Sequence, residues 1–68
     1  MYKIFFLNGH EYYTQQDINL LDLINYFQYN TSLLVLEYNG LVCNKKDWNH
    51  IFINSDDKIE IVTIVGGG

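Results

Sequence analysis

One segment of this chain has helical periodicity, and strand-like runs flank it on both sides. Four apolar side chains fall at positions i, i+3, i+4 and i+7, which form one face of a helix: Leu20, Leu23, Ile24 and Phe27. Asn19 precedes them as an N-cap, and Asp22 at the third helical position provides a weaker form of the capping box. We predict one helix over residues 20–29, with Asn30 as its left-handed stop. In a chain of 68 residues, this single helix has to cover the sheet that the other apolar runs form.

Two Asn-Gly pairs mark tight turns next to the strand-like runs. Asn8-Gly9 separates YKIFFL from HEYYT, and Asn39-Gly40 follows SLLVLEY at residues 32–38. Asn-Gly favours a type I′ hairpin turn, because both central residues of that turn take a positive φ. The remaining segments are predicted as a short return at 41–43, a helical turn or loop at 45–50, an apolar patch at 51–53 and a last strand at 58–65.

This order of elements predicts an α+β fold of the β-grasp, or ubiquitin-like, type. A mixed sheet of four to five strands wraps around one helix, and the first and last strands lie side by side at the centre of the sheet. We expect residues 1–65 to form this domain and residues 66–68 to form a flexible glycine tail. The last strand then brings the end of the chain to an edge of the domain.

The charge balance limits the classes of partner. Eight carboxylates against four lysines give a net charge of −4, so the chain lacks the basic stripe that nucleic-acid binding requires. An acidic domain is better suited to a basic protein surface, and we expect a monomer in the absence of partners. No apolar run reaches the length of about 18 residues that a membrane span needs. The first residues are typical of a strand and not of a signal or transit peptide.

The composition also indicates an origin. Ala, Pro and Arg are absent, whereas Asn, Ile, Tyr and Phe are abundant. These biases follow the GC content of codons and indicate an AT-rich genome, such as that of a plastid or a reduced bacterium. We therefore expect a location in the cytoplasm or the plastid stroma. The single cysteine, Cys43, excludes an internal disulfide framework and suits a reducing compartment.

The sequence finishes with IVTIVGGG, three glycines after an apolar strand-like run. A frayed end or a linker remnant is one interpretation of such a tail. A chemical role is the other, because a tail without Cβ atoms can enter a channel too narrow for any side chain. A terminal carboxylate is a poor electrophile, but its acyl-adenylate carries a good leaving group that a sulfur nucleophile can displace.

The chain resembles the sulfur-carrier proteins of thiamine biosynthesis, the ThiS family. The C-terminal half carries the closer resemblance, through Asn39, Trp48 and Asp57 and then IEIV and VGGG. The N-terminal half is similar more loosely, through LNG at residues 7–9 and the capped helix that begins NLLDLI. The resemblance therefore covers essentially the whole chain, and its most specific element is the final strand with its glycines.

Two positions depart from the family pattern. The family often has Pro-Arg where this chain has Asn44-Lys45, and Lys45 keeps the charge of arginine but not its bidentate fork. The family's Asp-Gly-Asp turn is replaced by Ser55-Asp56-Asp57. A positive φ costs more at Asp56 than at glycine, although Asp tolerates that conformation better than most residues do.

The resemblance implies a carrier and co-substrate, not an enzyme. It implies that an adenylating enzyme related to ubiquitin-activating enzymes uses ATP and Mg²⁺ to activate the carboxylate of Gly68. Sulfur from a cysteine desulfurase or another persulfide donor then converts this carboxylate to a thiocarboxylate, and thiazole synthase accepts the sulfur. Gly66 and Gly67 thread the active sites of these partners, and the chain itself binds no cofactor and no metal.

Three alternatives stay open at this point. The small subunit of molybdopterin synthase shares the fold and the Gly-Gly end but passes its sulfur to a different acceptor. A ubiquitin-like modifier would be joined to lysines through Gly68, and a plain interaction module would make no use of its tail. The IEIV run before VGGG and the short chain favour the thiamine family.

The surplus of apolar residues predicts a docking surface near the chain end. One helix covers one face of the sheet, so we expect Phe6, Val62 and Ile64 to expose apolar area for the adenylating enzyme and thiazole synthase.

Four further residues have a structural interpretation rather than a functional one. Cys43 is interpreted as a small buried hydrophobe, and Trp48 as a partly buried aromatic side chain that caps the sheet rather than a hot spot for a partner. His10 and His50 are interpreted as surface or edge residues, because no spacing pairs them as metal ligands.

Overall fold

The computed structural model describes residues 2–30 and 33–63. Its five strands are β1 (Lys3–Leu7), β2 (His10–Thr14), β3 (Leu34–Tyr38), β4 (Leu41–Cys43) and β5 (Lys58–Thr63). An α-helix, α1 (Leu20–Tyr26), connects β2 to β3, and a 3₁₀ helix at Lys45–Asp47 follows β4. Within these two ranges, no helix has the length and apolar character needed to cross a lipid bilayer.

The strands form one mixed sheet in the order β2-β1-β5-β3-β4. β1 and β5 run parallel, whereas the pairs β1–β2, β3–β5 and β3–β4 are antiparallel. The predicted β-grasp architecture is confirmed, with the first and last strands adjacent inside the sheet. The last strand was predicted over residues 58–65; the described part of it ends at Thr63, and residues 64 and 65 lie outside the described range.

Both Asn-Gly pairs form the predicted hairpin turns. Asn8 and Gly9 have φ values of 50° and 81°, and Asn39 and Gly40 have values of 52° and 88°. A positive φ at both central residues is the signature of the type I′ turn, whose twist matches that of the flanking strands.

The predicted start of the helix is confirmed, but its predicted end is wrong. The Asn19 side chain accepts a hydrogen bond from the Asp22 N–H at 2.8 Å, and the Asp22 carboxylate accepts one from the Asn19 N–H at 3.0 Å. The helix ends at Tyr26 rather than at residue 29, because Gln28, not Asn30, takes the left-handed conformation with a φ of 58°. The N–H groups of Gln28 and Tyr29 then bond back to Asn25 and Ile24, which is a Schellman motif.

The core lies between α1 and the helix-facing side of the sheet. Its buried apolar residues come from the strands, the helix and the segment between β4 and β5: Phe5, Leu7, Leu20, Leu23, Ile24, Leu36, Trp48, Ile53, Ile59 and Ile61. Trp48 is only 2% exposed, and its indole N–H donates to the Cys43 carbonyl at 3.1 Å. The expectation of a partly buried Trp48 is therefore wrong: the side chain is a full member of the core.

The loop before β5 is tied to the start of the helix. Ile53 donates its N–H to the Ile18 carbonyl at 2.9 Å, and Leu20 donates to the Ile51 carbonyl at 3.0 Å. These bonds resemble a short antiparallel bridge, and they bury Ile53 completely. The apolar patch at residues 51–53 is thus part of the packing that positions β5.

Candidate functional site at the end of the central strand

The strand that leads to the glycine tail is held on both sides. β5 pairs with β1 at Lys58 and Ile59, and with β3 from Ile59 to Thr63. Where β1 ends, Asn8 continues the pairing: its N–H donates to the Ile59 carbonyl at 2.9 Å, and its side-chain oxygen accepts from the Ile61 N–H at 2.7 Å. β5 is thus hydrogen-bonded on both sides as far as Ile61, and the chain leaves the sheet from its centre.

The predicted modification site begins just beyond this anchored strand. Gly66, Gly67 and Gly68, together with the predicted docking residue Ile64, lie outside the described residues. The last described residue, Thr63, pairs with Leu34, the first residue of β3. The described structure therefore ends three positions before Gly66.

The sheet has one covered face and one open face. The open face, defined by alternation along the strands, carries residues from every strand: Ile4, Phe6, Glu11, Tyr13, Val35, Glu37, Val42, Lys58, Glu60 and Val62. Three carboxylates against one lysine make it acidic. Val62 is 57% exposed, and it lies beside its cross-strand partner Val35.

The two described docking candidates share the open face but lie at different ends of it. Phe6 is half-buried and pairs with Lys58, whereas Val62 lies four residues further along β5. This spacing corresponds to roughly 13 Å along a strand. Glu60 lies between them on the same face, so apolar and acidic side chains alternate towards the chain end.

Two carboxylates oppose each other on this face. Glu37 of β3 and Glu60 of β5 are direct cross-strand partners. Like charges in this position destabilise a sheet by roughly 0.2–1 kcal/mol. The repulsion between these two carboxylates therefore lowers the stability of the sheet, and a nearby positive charge would reduce it.

Asp57 organises the turn that leads into β5. It is 7% exposed and is the one buried charged residue in the described part of the chain. Its carboxylate accepts hydrogen bonds from the Tyr38 hydroxyl at 2.5 Å, the Asn39 amide at 3.1 Å and the Asn54 backbone N–H at 2.7 Å. Asn39 in turn accepts from the Lys58 N–H at 2.8 Å, which joins the β3–β4 turn to the first residue of β5.

Asn39 and Asp57 both belong to the family resemblance in the sequence, which implies no contact between them. They lie 18 positions apart, too far for a contact within one turn or helix, and the sheet brings them together. Burial, and after it the Asp57 carboxylate, raises the pKa of Tyr38 to about 12 from 10.0. The hydroxyl therefore stays protonated and serves as a donor throughout the neutral range.

Asp56 occupies the strained position of the same turn. Its φ is 71°, and its N–H donates to the Ile4 carbonyl at 2.6 Å. The expectation that this turn needs a positive φ where the family has glycine is confirmed, and an aspartate fills the position here.

Cys43 lies where its reactive form is disfavoured, and the two histidines lie at the surface. Burial, with a smaller effect of Asp47, raises the pKa of the Cys43 thiol, which disfavours the reactive thiolate. The side chain of Cys43 is half-buried against the core rather than fully enclosed. His10 and His50 are both exposed. Across residues 2–30 and 33–63, no group of three His, Cys, Asp or Glu side chains is placed to hold a metal ion.

Comparison with known proteins adds to this geometry. The model of the ThiS family matches residues 6–68. The chain belongs to the ThiS family. The match includes β5 and runs through the final glycines, and membership supports a general role as a sulfur carrier in thiamine biosynthesis.

Relatives of this ThiS-family chain carry the name ycf40 in three organisms. The uncharacterized protein ycf40 of Trieres chinensis is 68% identical over 66 residues, covering 97% of this chain and 90% of that protein. Proteins of the same name from Porphyra purpurea and Pyropia yezoensis are 34% and 32% identical over 62 residues, each covering 91% of this chain and 87% of the relative.

A solved structure shares the fold. The thiamine biosynthesis protein (ThiS) from Geobacter metallireducens superposes with a TM-score of 0.81 over 96% of this chain and 99% of that chain. The two sequences are 19% identical. The fold is therefore the same although few residues are shared.

Proposed function

We propose that this chain carries sulfur on the carboxylate of Gly68 and delivers it for formation of the thiazole ring of thiamine. The observation that carries the proposal is the anchoring of β5. A strand hydrogen-bonded on both sides up to Ile61 precedes the three final glycines in the sequence, and the family match includes both. A rigid strand followed by residues without Cβ atoms suits a tail that enters a narrow active site.

The chemistry requires the partner enzyme to supply the activation. A carboxylate oxygen of Gly68 attacks the α-phosphate of ATP, with Mg²⁺ bound by the partner, and pyrophosphate leaves. The terminal sulfur of a persulfide, charged by a cysteine desulfurase, then attacks the acyl carbon and displaces AMP. Reduction of the resulting acyl disulfide by a thiol releases the thiocarboxylate, from which thiazole synthase takes the sulfur. This chain contributes the tail and a docking surface, so it is a co-substrate and not a catalyst.

The open face is the proposed docking surface for the adenylating enzyme and thiazole synthase. Val62 and Val35 offer an exposed apolar centre close to the chain end, and Glu37 and Glu60 border it. A partner with an apolar centre and basic residues around it fits this arrangement, because it buries the apolar area and neutralises the opposed carboxylates.

A location in the plastid stroma is part of the proposal. The AT-rich codon bias of the sequence supports it, as does the plastid gene name ycf40 that the relatives carry.

One experiment tests the sulfur chemistry. Intact mass spectrometry of the purified protein first establishes that the chain ends at Gly68. The protein is then incubated with ATP, Mg²⁺, the adenylating enzyme and a persulfide donor, and its mass is taken again. We expect exchange of one oxygen for sulfur, and no exchange in a variant that lacks Gly68. An unchanged mass with an adenylating enzyme that is active on another carrier would refute the proposal.

The identity of the acceptor separates the neighbouring functions. Sulfur that passes to thiazole synthase supports the thiamine role, whereas transfer to a molybdopterin precursor would assign the chain to the other carrier class. Formation of isopeptide-linked products of higher mass would instead indicate a protein modifier.

A matched pair of variants tests the docking surface. Val62→Asp places a charge on the open face, and Leu41→Asp places the same charge at a position that is 75% exposed but faces the helix side. We expect calorimetry to show weaker binding of both partners by Val62→Asp and little change for Leu41→Asp. Equal affinities for the two variants would exclude the open face as the docking surface.

A further inference from the structure

The outer edge of β2 presents backbone groups that no other described residue uses. Leu7 and His10 flank a two-residue turn and are therefore a hydrogen-bonded pair of the β1–β2 ladder. Because hydrogen-bonded and non-hydrogen-bonded pairs alternate, the N–H and C=O groups of Glu11 and Tyr13 point away from β1. β2 is the first strand in the sheet order, so these four groups form a free edge.

An apolar groove runs along this edge. It has a volume of about 690 Å³ and lies between β2 and α1, on the opposite side of the sheet from the open face. Its floor is formed by Phe5 and Leu23, which are buried. Tyr12 and Phe27 also line it and contact each other edge to face, with ring centroids 5.5 Å apart. Tyr26 of the helix completes this wall and is 80% exposed.

The charges around the groove are mainly negative. Asp17 and Asp22 line it, and Glu11 lies on the adjoining edge strand. The one lysine beside them is Lys3, whose ammonium is already paired with Asp17 at 2.5 Å. A second copy of this chain brings a further net charge of −4 to the same place, so charge favours a basic partner over self-association.

We propose that the edge of β2 takes up an extended, basic and apolar segment of a partner protein as a sixth strand of the sheet. The segment exchanges backbone hydrogen bonds with Glu11 and Tyr13. Alternate side chains of the segment enter the groove between β2 and α1, and its lysines or arginines approach the carboxylates of Glu11, Asp17 and Asp22. Main-chain bonds supply affinity in this mode of recognition, and the groove and carboxylates supply specificity. The proposal does not depend on sulfur transfer, because it concerns the backbone edge of β2 and the groove on the helix side, which are distinct from the tail and from Val35 and Val62. The side chains of Glu11 and Tyr13 belong to the far end of the open face.

A blocked peptide of sequence Lys-Leu-Thr-Leu-Thr-Leu-Lys is the probe for this site. We measure amide hydrogen exchange by NMR at saturating peptide. We expect exchange to slow by about tenfold or more at Glu11 or Tyr13, because their N–H groups gain a hydrogen-bond partner. A peptide with glutamates in place of the lysines should bind more weakly, and added salt should reduce this difference. The measurement uses the unaltered protein, so it does not rely on any variant folding.

Two proline variants provide a matched control. Tyr13→Pro removes an outward N–H from the β2 edge, and Val42→Pro removes the equivalent outward N–H from β4, the strand at the other edge. Proline is tolerated at such edge positions because the ladder donor it lacks is not used there. We expect Tyr13→Pro to weaken peptide binding by about tenfold and Val42→Pro to leave it within about twofold.

Several results would overturn the proposal. One is protection on the β4 edge or on the open face instead of at β2. Another is equal peptide affinity of the two proline variants. A third is a β2-paired dimer of the protein alone, detected by sedimentation and abolished by Tyr13→Pro, because the occupant of the edge would then be a second copy.

Discussion

Replacement of Asp57 by alanine should be among the most damaging single changes to this domain. The substitution removes the carboxylate that accepts hydrogen bonds from Tyr38, Asn39 and Asn54. A hydrogen bond to a charged group contributes about 1.5–3 kcal/mol when its loss leaves the other group buried. All three bonds are part-buried, but Asn39 and Asn54 are exposed residues whose donors can bond partly to water, whereas Tyr38 is half-buried. The expected loss is therefore about 3–4 kcal/mol, with the largest share from Tyr38.

Urea unfolding provides the assay. Trp48 is the single tryptophan of the chain and lies in the core, so its fluorescence reports on global unfolding. Because a domain of this size has a total stability of only about 5 kcal/mol or somewhat more, Asp57→Ala should fold marginally. Asp57→Asn keeps one oxygen for Tyr38 and Asn54 but turns an amide towards Asn39, and it should lose about 1–2 kcal/mol.

Asp17→Ala is the matched control. It also removes one carboxylate, but the Asp17 side chain is 82% exposed and pairs with Lys3 at the surface. Its loss should therefore destabilise the domain far less than the loss of Asp57 does, because an exposed ion pair contributes little to stability. If Asp57→Ala were destabilised by no more than Asp17→Ala, the proposed role of Asp57 in holding the turn before β5 would be refuted.

Three further predictions follow from particular residues. The pKa of Tyr38 is raised to about 12 from 10.0. The contribution of its hydroxyl to stability is therefore complete below pH 10 and is lost as the pH rises to about 12. Urea midpoints across this range should fall more steeply for the natural protein than for Tyr38→Phe. Gln28 has a φ of 58°, so Gln28→Gly should stabilise the domain by about 0.5–1 kcal/mol, whereas Asn25→Gly within α1 should destabilise it by a similar amount in the same urea experiment. Glu60→Lys removes the repulsion from Glu37 and should raise the stability by up to about 1 kcal/mol. It should also slow thiocarboxylate formation at low salt, because it removes a carboxylate from the proposed docking surface. A rate equal to that of the natural protein would contradict this surface.

The local signals in the sequence were sufficient for the elements and their order. An Asn-Gly pair or a capping box acts over two to four residues, so its conformation is decided by neighbours along the chain. Asn8-Gly9, Asn39-Gly40 and Asn19 with Asp22 all adopt the predicted geometry. One helix among strand-like runs then left few ways to bury the apolar residues, which is why the β-grasp could be predicted before the sheet order was known.

The sequence predicted the wrong helix end, where two local signals compete, and the wrong burial of Trp48, which depends on distant segments. Asn30 is a better left-handed residue than Gln28 by propensity, yet the helix ends earlier, with Gln28 left-handed and Phe27 packed against the core. Trp48 follows a short 3₁₀ helix with no clear period, so the sequence offered no reason to place it inside. Its burial depends on the core residues from α1 and the sheet that surround it.

The sequence by itself therefore determined the turns, the helix cap and the fold class. The turns and the cap depend on residues close together along the chain, and the fold class follows from the order of the elements. Only the tertiary structure decided that Asp57 binds Tyr38 and Asn39, that Asn8 extends the hydrogen bonding of β5 to Ile61, and that Glu37 faces Glu60. These contacts join residues 18 to 53 positions apart, and their existence depends on strand order and register. Those two properties follow from how the whole chain packs, which no short stretch of sequence encodes.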